Sequence, residues 1–286
     1  MSDTPLVSVV IPLYNKAPYI ARALSSVLSQ TIRDLEVIVL DDGSTDDGAN
    51  IVEEFNDPRI RLIRQENRGV SAARNRGIEA ARAELVALLD ADDEWTSSHL
   101  EVLLRLREKY PEAGAYGTAY LIVGSGFTNV AQFSGIIPQE PWEGLLPSYF
   151  RAAALGASPI SSSTVAVPKV ILEEMGGFAT GAWWGEDTDL WGRIALKYPI
   201  AFSWDGMAIY HTDATNRACN RKDAIDENIF VSTARAAIER GDVDQEIMMD
   251  LREYVAKKQL ETAWANIRAK RPDLARSILR RCDTDL

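Results

Sequence analysis

The chain has 286 residues, of which 46% are hydrophobic and 26% charged, a composition typical of a folded globular protein and not of a disordered one. Its net charge of −11 disfavours a nucleic-acid partner, since proteins that bind nucleic acids need a basic surface. Cys219 and Cys282 are too few for a disulfide framework, and no apolar run is long enough for a signal peptide or a membrane span, so we expect a cytoplasmic protein without a transmembrane segment.

Apolar runs alternate with segments of helical periodicity over residues 1–110. The runs lack polar alternation, which is typical of parallel strands covered by helices on both faces. Ser71 is a candidate helix cap, and Ser98 with Glu101 has the spacing of a capping box. This order predicts an α/β protein with a mostly parallel central sheet. The predicted strands are 6–13, 35–40, 60–63 and 85–89, and the predicted helices are 17–30, 47–55 and 70–83.

The pattern is less regular after residue 110. We expect strands at 113–123, 161–167 and 201–210 and a helix at 187–198, whereas 124–159 has no clear period. Residues 212–220 are polar and predict a loop, and the chain then turns helical to its end. We therefore predict one domain at 1–220, with halves at 1–110 and 111–220, and a helical C-terminal extension at 221–286.

The C-terminal extension is basic although the whole chain is acidic. Between Arg252 and Arg281 there are nine lysines and arginines against three acids. Such a pattern is typical of a solvated helix face. It is also compatible with peripheral contact to an anionic lipid surface or to a partner protein.

Polar side chains follow each of the first four predicted strands. These stretches are 12–16, 41–42, 65–69 and 90–93. Because the carboxyl ends of parallel strands meet at one edge, where ligands bind in such sheets, we expect the four stretches to line one crevice. The acids Asp90, Asp92 and Asp93 repel one another and favour a bound cation, although a solvated turn that caps the next helix is the simpler alternative.

The other side chains at this edge suit a nucleotide diphosphate. Tyr14, which follows Pro12, offers a flat face for a base, and Asp42 offers a carboxylate for a base N–H or a ribose diol. Arg68 and Lys16 supply positive charge. Each also has an ordinary explanation: a half-buried aromatic, a turn cap at Gly43 and solvated cations.

Five motifs in this order resemble family 2 glycosyltransferases with the GT-A fold. They are VSVVIPLYNK (7–16), LDDGSTD (40–46), NRGVSAARNRG (67–77), LLDADD (88–93) and WWGEDTDLW (183–191). The resemblance implies inverting transfer of a sugar from a nucleotide-diphosphate donor, with 1–110 as the nucleotide-binding half and 111–220 as the acceptor-binding half.

The resemblance also implies roles for particular residues. It makes Pro12, Tyr14, Asp42, Arg68 and Asp90 donor-binding, Asp187 the general base, and Asp92, Asp93 and His211 the ligands of Mn²⁺ or Mg²⁺, without separating Asp92 from Asp93. Trp183, Trp184 and Glu186 are expected at the acceptor, although the two tryptophans are equally consistent with a core position.

We expect a UDP-sugar as donor and a hydroxyl of a glycan or a lipid-linked glycan as acceptor, in polysaccharide or cell-surface glycan synthesis. Two alternatives stay open. A nucleotidyltransferase would need a Gly-rich loop near the first strand, where this chain has Tyr14-Asn15-Lys16. A nucleotide-sugar-binding protein without turnover would not need carboxylates at Asp92 and Asp187.

Overall fold

The computed structural model describes residues 4–282 and 284. Within them the strands form a ten-stranded mixed sheet. In chain order the strands are β1 (Val7–Leu13), β2 (Leu35–Asp41), β3 (Ile60–Arg64), β4 (Leu85–Leu88), β5 (Glu94–Trp95), β6 (Ala115–Gly124), β7 (Phe127–Val130), β8 (Glu143–Leu145), β9 (Val165–Pro168) and β10 (Ile200–His211).

Helices cover both faces of this sheet and extend the chain beyond it. They are α1 (Ala17–Leu28), α2 (Gly48–Glu54), α3 (Val70–Ala80), α4 (His99–Lys109), α5 (Tyr149–Leu155), α6 (Lys169–Glu174), α7 (Glu186–Ala195), α8 (Ile229–Arg240), α9 (Gln245–Arg268) and α10 (Pro272–Leu279), with a 3₁₀ turn at Ala218–Asn220.

The sheet order is β3-β2-β1-β4-β9-β6-β10-β5, with β7 on β6 and β8 on β10. Strands β3, β2, β1 and β4 are parallel, as the alternation of elements predicts. β9 is antiparallel to both β4 and β6, so β6 and its parallel neighbour β10 run in the same direction as β4. The carboxyl ends of β1, β2, β4 and β10 therefore lie at one edge.

Two hydrophobic clusters sandwich the sheet. Successive residues of β1 alternate between them, with Val9 and Ile11 in one cluster and Val10 in the other. Helix α3 lies so close to β1 that a Cβ on Gly77 would come within 2.4 Å of Val10 Cγ1. This close approach fixes where the rest of α3 lies over the sheet.

The predicted elements exist, but some of their ends differ. Helix α3 begins after Gly69, which has a φ of 87°, so Ser71 lies inside the first turn and is not its cap. Ser98 does precede α4, but its side chain makes no capping bond, and Glu101 accepts a hydrogen bond from Thr31 instead. Residues 124–159, for which no period is visible, contain β7, β8 and α5.

The C-terminal helices share a core with the sheet. Phe230 of α8 stacks on Phe150 of α5, and both contact Tyr254 of α9, with ring centroids 5.4–5.9 Å apart. The boundary at residue 220 stays a prediction, because these helices bury their rings with those of the preceding residues. No helix in the described part of the chain is long and apolar enough to cross a membrane.

Candidate active site

Asp42 follows β2 and is held by the loop after β3. Its Oδ1 accepts from Gln65 Nε2 at 2.6 Å and from the backbone N–H of Arg68 at 2.9 Å, and its Oδ2 accepts from the backbone N–H of Gly69 at 2.8 Å. The Arg68 backbone, and not its guanidinium, makes this contact. Asp42 is therefore a fixed, buried carboxylate at the sheet edge.

The end of β1 lies beside β2. Pro12 pairs in register with Leu40, and Tyr14 beyond it is 46% exposed. An aromatic ring this exposed is available to a flat ligand. The structure thus brings Pro12, Tyr14 and the loop of Arg68 to the same edge as Asp42, while their donor-binding roles stay predictions.

Asp92 is paired with a lysine from the start of α1. Lys16 Nζ lies 2.6 Å from Asp92 Oδ2, and the two side chains are only 14% and 13% exposed. Arg22 Nη2 donates to the Asp92 backbone carbonyl at 2.6 Å. The acid cluster is therefore tied to α1, which follows the first motif.

Asp93 is the most buried acid of the cluster. Ser163 Oγ donates to its Oδ2 at 2.6 Å, and the His211 backbone N–H donates to its Oδ1 at 3.0 Å. Burial, together with the charges of Asp90 and Asp92, raises the pKa of Asp93 well above its ordinary value. Both of its oxygens thus accept hydrogen bonds from the protein, and the choice between Asp92 and Asp93 as metal ligand stays a prediction.

His211 ends β10 beside this cluster. Its Nε2 lies 2.9 Å from Glu94 Oε1, and its side chain is 9% exposed. In residues 4–282 and 284, no three His, Cys, Asp or Glu side chains converge closely enough to hold a metal ion. Asp92 and His211 offer the oxygen and nitrogen donors that such ions use, but in this structure they are bonded to Lys16 and Glu94.

Arg74 of α3 joins the acid cluster to helix α7, and sequence reasoning missed it. Its Nη2 lies 2.8 Å from Asp90 Oδ1 and its Nη1 2.9 Å from Glu186 Oε1, in a side chain that is 5% exposed. Burial acts to lower the pKa of Arg74, but the charges of Asp90 and Glu186 outweigh it and raise the pKa. The guanidinium also lies 5.0 Å from the ring of Phe178.

Asp187 lies in the first turn of α7, directly after Glu186. Its Oδ1 accepts from the Thr188 backbone N–H at 2.6 Å, and no hydrogen bond to its Oδ2 occurs in the described residues. Burial and the charge of Asp187 raise the pKa of Glu186, against the effect of Arg74. Of the two acids, Glu186 is thus the buried, arginine-bound one and Asp187 the more accessible one.

Helix α7 is placed by the glycine before it. Gly185 has a φ of 80°, and a Cβ there would lie 2.6 Å from Asn228 Nδ2. A residue with a side chain is doubly disfavoured at this position, by the backbone conformation and by the close neighbour. The approach of Asn228, which caps α8, therefore fixes the start of the Glu186–Asp187 turn.

The two tryptophans before α7 are half-buried. The rings of Trp183 and Trp184 meet edge to face at 5.5 Å, and the Arg221 guanidinium lies 4.6 Å from the Trp183 ring. Arg221 directly follows the predicted loop 212–220, and in the middle of that loop the Asn216 carbonyl accepts a hydrogen bond from Lys16 Nζ at 3.4 Å. The loop thus has contacts both at α1 and beside the tryptophans.

Comparison with known proteins decides the family. The model of glycosyl transferase family 2 matches residues 8–156, more than half of the chain. The chain belongs to glycosyl transferase family 2. This membership confirms the resemblance that the five motifs carry, and it favours a sugar transferase over the nucleotidyltransferase alternative.

Curated relatives of this glycosyltransferase match over part of its length. The putative glycosyltransferase EpsH of Bacillus subtilis is 34% identical over 158 residues, which cover 54% of this chain and 46% of EpsH. The chondroitin synthase of Escherichia coli is 46% identical over 95 residues, which cover 32% of this chain and 14% of that protein. The chain thus spans less than half the length of either relative.

Two solved structures match almost the whole glycosyltransferase. The structure of Staphylococcus aureus TarS 1–349 in complex with UDP-GlcNAc has a TM-score of 0.66 at 18% identity and covers 96% of this chain and 90% of that one. The mannosyltransferase PcManGT of Pyrobaculum calidifontis, in complex with GDP-Man and Mn²⁺, has a TM-score of 0.65 at 23% identity and covers 98% and 75%. At these identities the likeness shows the fold, and it confirms the predicted GT-A architecture with added C-terminal helices.

Proposed function

We propose that this glycosyltransferase moves a sugar, with inversion, from a nucleotide-diphosphate donor to a hydroxyl of a glycan or a lipid-linked glycan. A UDP-sugar is the favoured donor, and the product belongs to polysaccharide or cell-surface glycan synthesis. The observation that carries the proposal is Arg74, which joins Asp90, at the sheet edge that also holds Asp42 and Asp92, to Glu186, the neighbour of the more accessible Asp187. The fold neighbours TarS and PcManGT, whose structures contain UDP-GlcNAc and GDP-Man, support a nucleotide sugar as donor.

The nucleotide would lie between Tyr14 and Asp42. The base would stack on the exposed ring of Tyr14. Asp42, fixed by three donors of the protein, would accept from the base or the ribose with lone pairs that those donors leave free. Arg68, whose side chain is not needed to hold Asp42, would offer its guanidinium to the nucleotide or the diphosphate.

The acid cluster fits a divalent cation, Mn²⁺ or Mg²⁺, on charge and donor chemistry. Lys16 pairs with Asp92 and Arg74 pairs with Asp90, but Asp93 has only neutral donors and a raised pKa. Asp92 and His211 would hold the ion, and Asp93 would brace the backbone of His211. When bound, the ion would act as a Lewis acid that offsets the charge gained by the leaving diphosphate.

Asp187 would take the proton of the acceptor hydroxyl. Its Oδ1 is bonded to the Thr188 N–H, which orients the carboxylate and leaves Oδ2 as the acceptor. Attack from the face opposite the diphosphate gives inversion. A carboxylate base of this kind contributes about 10²–10⁴ in rate. Trp183 and Trp184 would line the acceptor site, next to Glu186.

The proposal includes a location. We place the reaction in the cytoplasm, with peripheral contact of the C-terminal helices at the inner face of a membrane. Between Arg252 and Arg281 there are nine lysines and arginines against three acids, which supports contact of this part with an anionic surface.

Thermal unfolding in the presence of nucleotides tests the donor site. We expect UDP with Mn²⁺ to raise the melting temperature more than GDP or dTDP does, because a ligand present at 100 times its Kd stabilises by about 2.7 kcal/mol. EDTA should remove most of the shift. Equal and negligible shifts with all three nucleotides would count against a nucleotide donor.

Substitution of the base separates binding from chemistry. Asp187→Asn should lose transfer, measured with donor and acceptor or as slow donor hydrolysis, by about 10²-fold or more. It should keep the nucleotide-induced shift, because Asp42 and Asp92 are unchanged. Asp205→Asn, an exposed acid elsewhere in the chain, is the control. Full turnover by Asp187→Asn would remove Asp187 from its proposed role.

A further inference from the structure

One face of α9 exposes large apolar side chains. Met249, Leu260, Trp264 and Ile267 are 66%, 49%, 62% and 49% exposed. At about 100° per residue they fall within an arc of about 60°. Leu260, Trp264 and Ile267 follow one another on this side and form a stripe, and Met249 lies about three turns earlier. Surface helices normally turn such a stripe toward the core. Here the core-facing residues, among them Leu251, Tyr254 and Ala263, lie on other sides of the helix.

Helix α10 extends this surface. It packs on α9 through Ala275 and Ile278, which form a small cluster with Ala263. The next residue after Ile278, Leu279, is 44% exposed. Both helices therefore expose large apolar side chains, whereas a single exposed leucine would be ordinary on a protein surface.

The unpaired charge at the C-terminal end of α9 and on α10 is positive. Arg268 lies one turn beyond Trp264, and in the described part of the chain Arg268, Lys270, Arg276 and Arg280 form no ion pair. This is unusual on a protein with a net charge of −11.

The acids nearby already have partners. Glu261 lies 2.9 Å from Lys258, and Asp273 lies 2.7 Å from Arg271. Glu253 accepts a hydrogen bond from Thr284. Glu246 and Asp250, beside Met249 at the N-terminal end of α9, form no ion pair in the described residues, so the free cations dominate only from Leu260 onward.

Two occupants could cover an exposed apolar stripe beside cations. A two-fold interface centred on the surface from Leu260 to Lys270 would bring the unpaired cations of both copies together, which is unfavourable. An anionic bilayer would meet the cations with lipid phosphates and take the tryptophan and leucines at the headgroup–acyl boundary, where tryptophan is enriched. Charge complementarity therefore selects the lipid surface.

We propose that the surface formed by Leu260, Trp264, Ile267, Arg268 and Lys270, together with the exposed residues of α10, docks the protein on a bilayer that contains anionic phospholipid. The apolar side chains enter the interface and the cations contact phosphates. None of these residues belongs to the candidate active site, so docking does not depend on the transfer reaction.

Vesicle co-sedimentation of the full chain tests this surface. The probes are vesicles of phosphatidylcholine alone and of phosphatidylcholine mixed with phosphatidylglycerol. We expect binding to the mixed vesicles that weakens as salt rises, and little binding to the neutral ones. Trp264→Ser should weaken binding at least about tenfold, because the largest interfacial side chain is lost.

Two leucines give a matched pair of variants. Leu260 is 49% exposed in the stripe, and Leu6 is 50% exposed before β1. Leu260→Ser should weaken vesicle binding and Leu6→Ser should not, and circular dichroism should show that both remain folded. Equal effects of the two variants, or equal binding to neutral and anionic vesicles, would overturn the proposal.

A second copy as the occupant gives a different result. Sedimentation of the free protein would then show a concentration-dependent dimer that Trp264→Ser dissociates, without anionic vesicle binding, and the lipid proposal would be wrong. Transfer to a soluble acceptor should be unchanged in Trp264→Ser. Vesicle binding by a protein without transfer activity would overturn the proposed function and leave the docking surface standing.

Discussion

On the side of the candidate site where we propose that the nucleotide binds (the nucleotide side), Asp42 receives its three hydrogen bonds from one short segment, residues 65–69. On the acid side, Asp90, Asp92 and Asp93 depend on side chains from α1, α3 and the loop before β9, which are distant in sequence. The first arrangement is local and uses mainly backbone donors. The second requires the whole fold, and it concentrates negative charge that two buried cations offset only in part.

This difference predicts that substitutions on the acid side destabilise the protein more than substitutions on the nucleotide side. Removing one member of a buried charge network leaves its partners without compensation. Removing one of three donors to Asp42 leaves two backbone N–H groups in place.

Arg74→Met should have the largest effect. It leaves Asp90 and Glu186 without their shared cation, which we expect to cost about 3–5 kcal/mol in the free energy of unfolding. Arg76→Met, two residues along the same helix but exposed, is the matched control and should change stability by less than about 0.5 kcal/mol. Chemical denaturation measures both. If the two variants are equally stable, the Arg74 network does not support the acid side.

His99 predicts a dependence of stability on pH. The ring is buried beneath Trp95, stacked at 4.5 Å, and burial lowers its pKa from 6.5 to about 4. Below pH 6.5 the unfolded imidazole takes up a proton that the folded one refuses until about pH 4. The free energy of unfolding should therefore fall by about 3 kcal/mol across this window as pH decreases.

The only other histidine provides the control. In urea unfolding between pH 7 and pH 4, the free energy of unfolding of His99→Gln should lack the part of the decrease that His99 causes. The His211→Gln variant should retain that part. A His99→Gln curve parallel to the wild-type curve would show that the buried His99 does not cause the loss of stability at low pH.

Lys16→Met addresses the pair with Asp92. Loss of the ammonium should destabilise the protein by about 1–2 kcal/mol, since both side chains are largely buried. The same variant should be stabilised more by Mn²⁺ than the wild type, because no ammonium then competes for the carboxylate. Lys258→Met breaks an ion pair of a similarly buried lysine with the more exposed Glu261, and it should leave the response to Mn²⁺ unchanged. A larger stabilisation by Mn²⁺ in both variants would show that the increase does not depend on Asp92.

The same contrast explains what could be predicted from the sequence. Strand ends and their polar residues are local signals, so the edge carrying Asp42, Asp90 and Asp92 is visible in the sequence. The partners of Arg74 lie 16 and 112 residues away, and no local pattern contains them. The available signal is an arginine on the buried stripe of α3, next to Ala73 and one turn before Gly77 and Ile78.

The region between 124 and 163 shows the same limit. Ser163, which binds Asp93, precedes a strand whose predicted start at 161 is four residues earlier than its start at Val165. A turn at 161–164, closed by the Thr164 N–H donating to the Ser161 carbonyl, occupies those residues instead. Short polar residues beside an apolar run are compatible with either a strand or a turn. The contact of Ser163 with Asp93 is therefore set by the tertiary structure and cannot be predicted from the local sequence.

Gln65→Ala should have the smallest effect and tests the nucleotide side directly. The variant removes the 2.6 Å bond to Asp42 Oδ1 and leaves the N–H groups of Arg68 and Gly69. We expect nucleotide binding, measured by calorimetry, to weaken by about fivefold or less, equivalent to about 1 kcal/mol. Gln139→Ala, at an exposed position, is the control. Weakening by more than about tenfold would mean that the Gln65 side chain, and not the loop backbone, orients Asp42. Side chains would then hold the carboxylates on both sides of the candidate site.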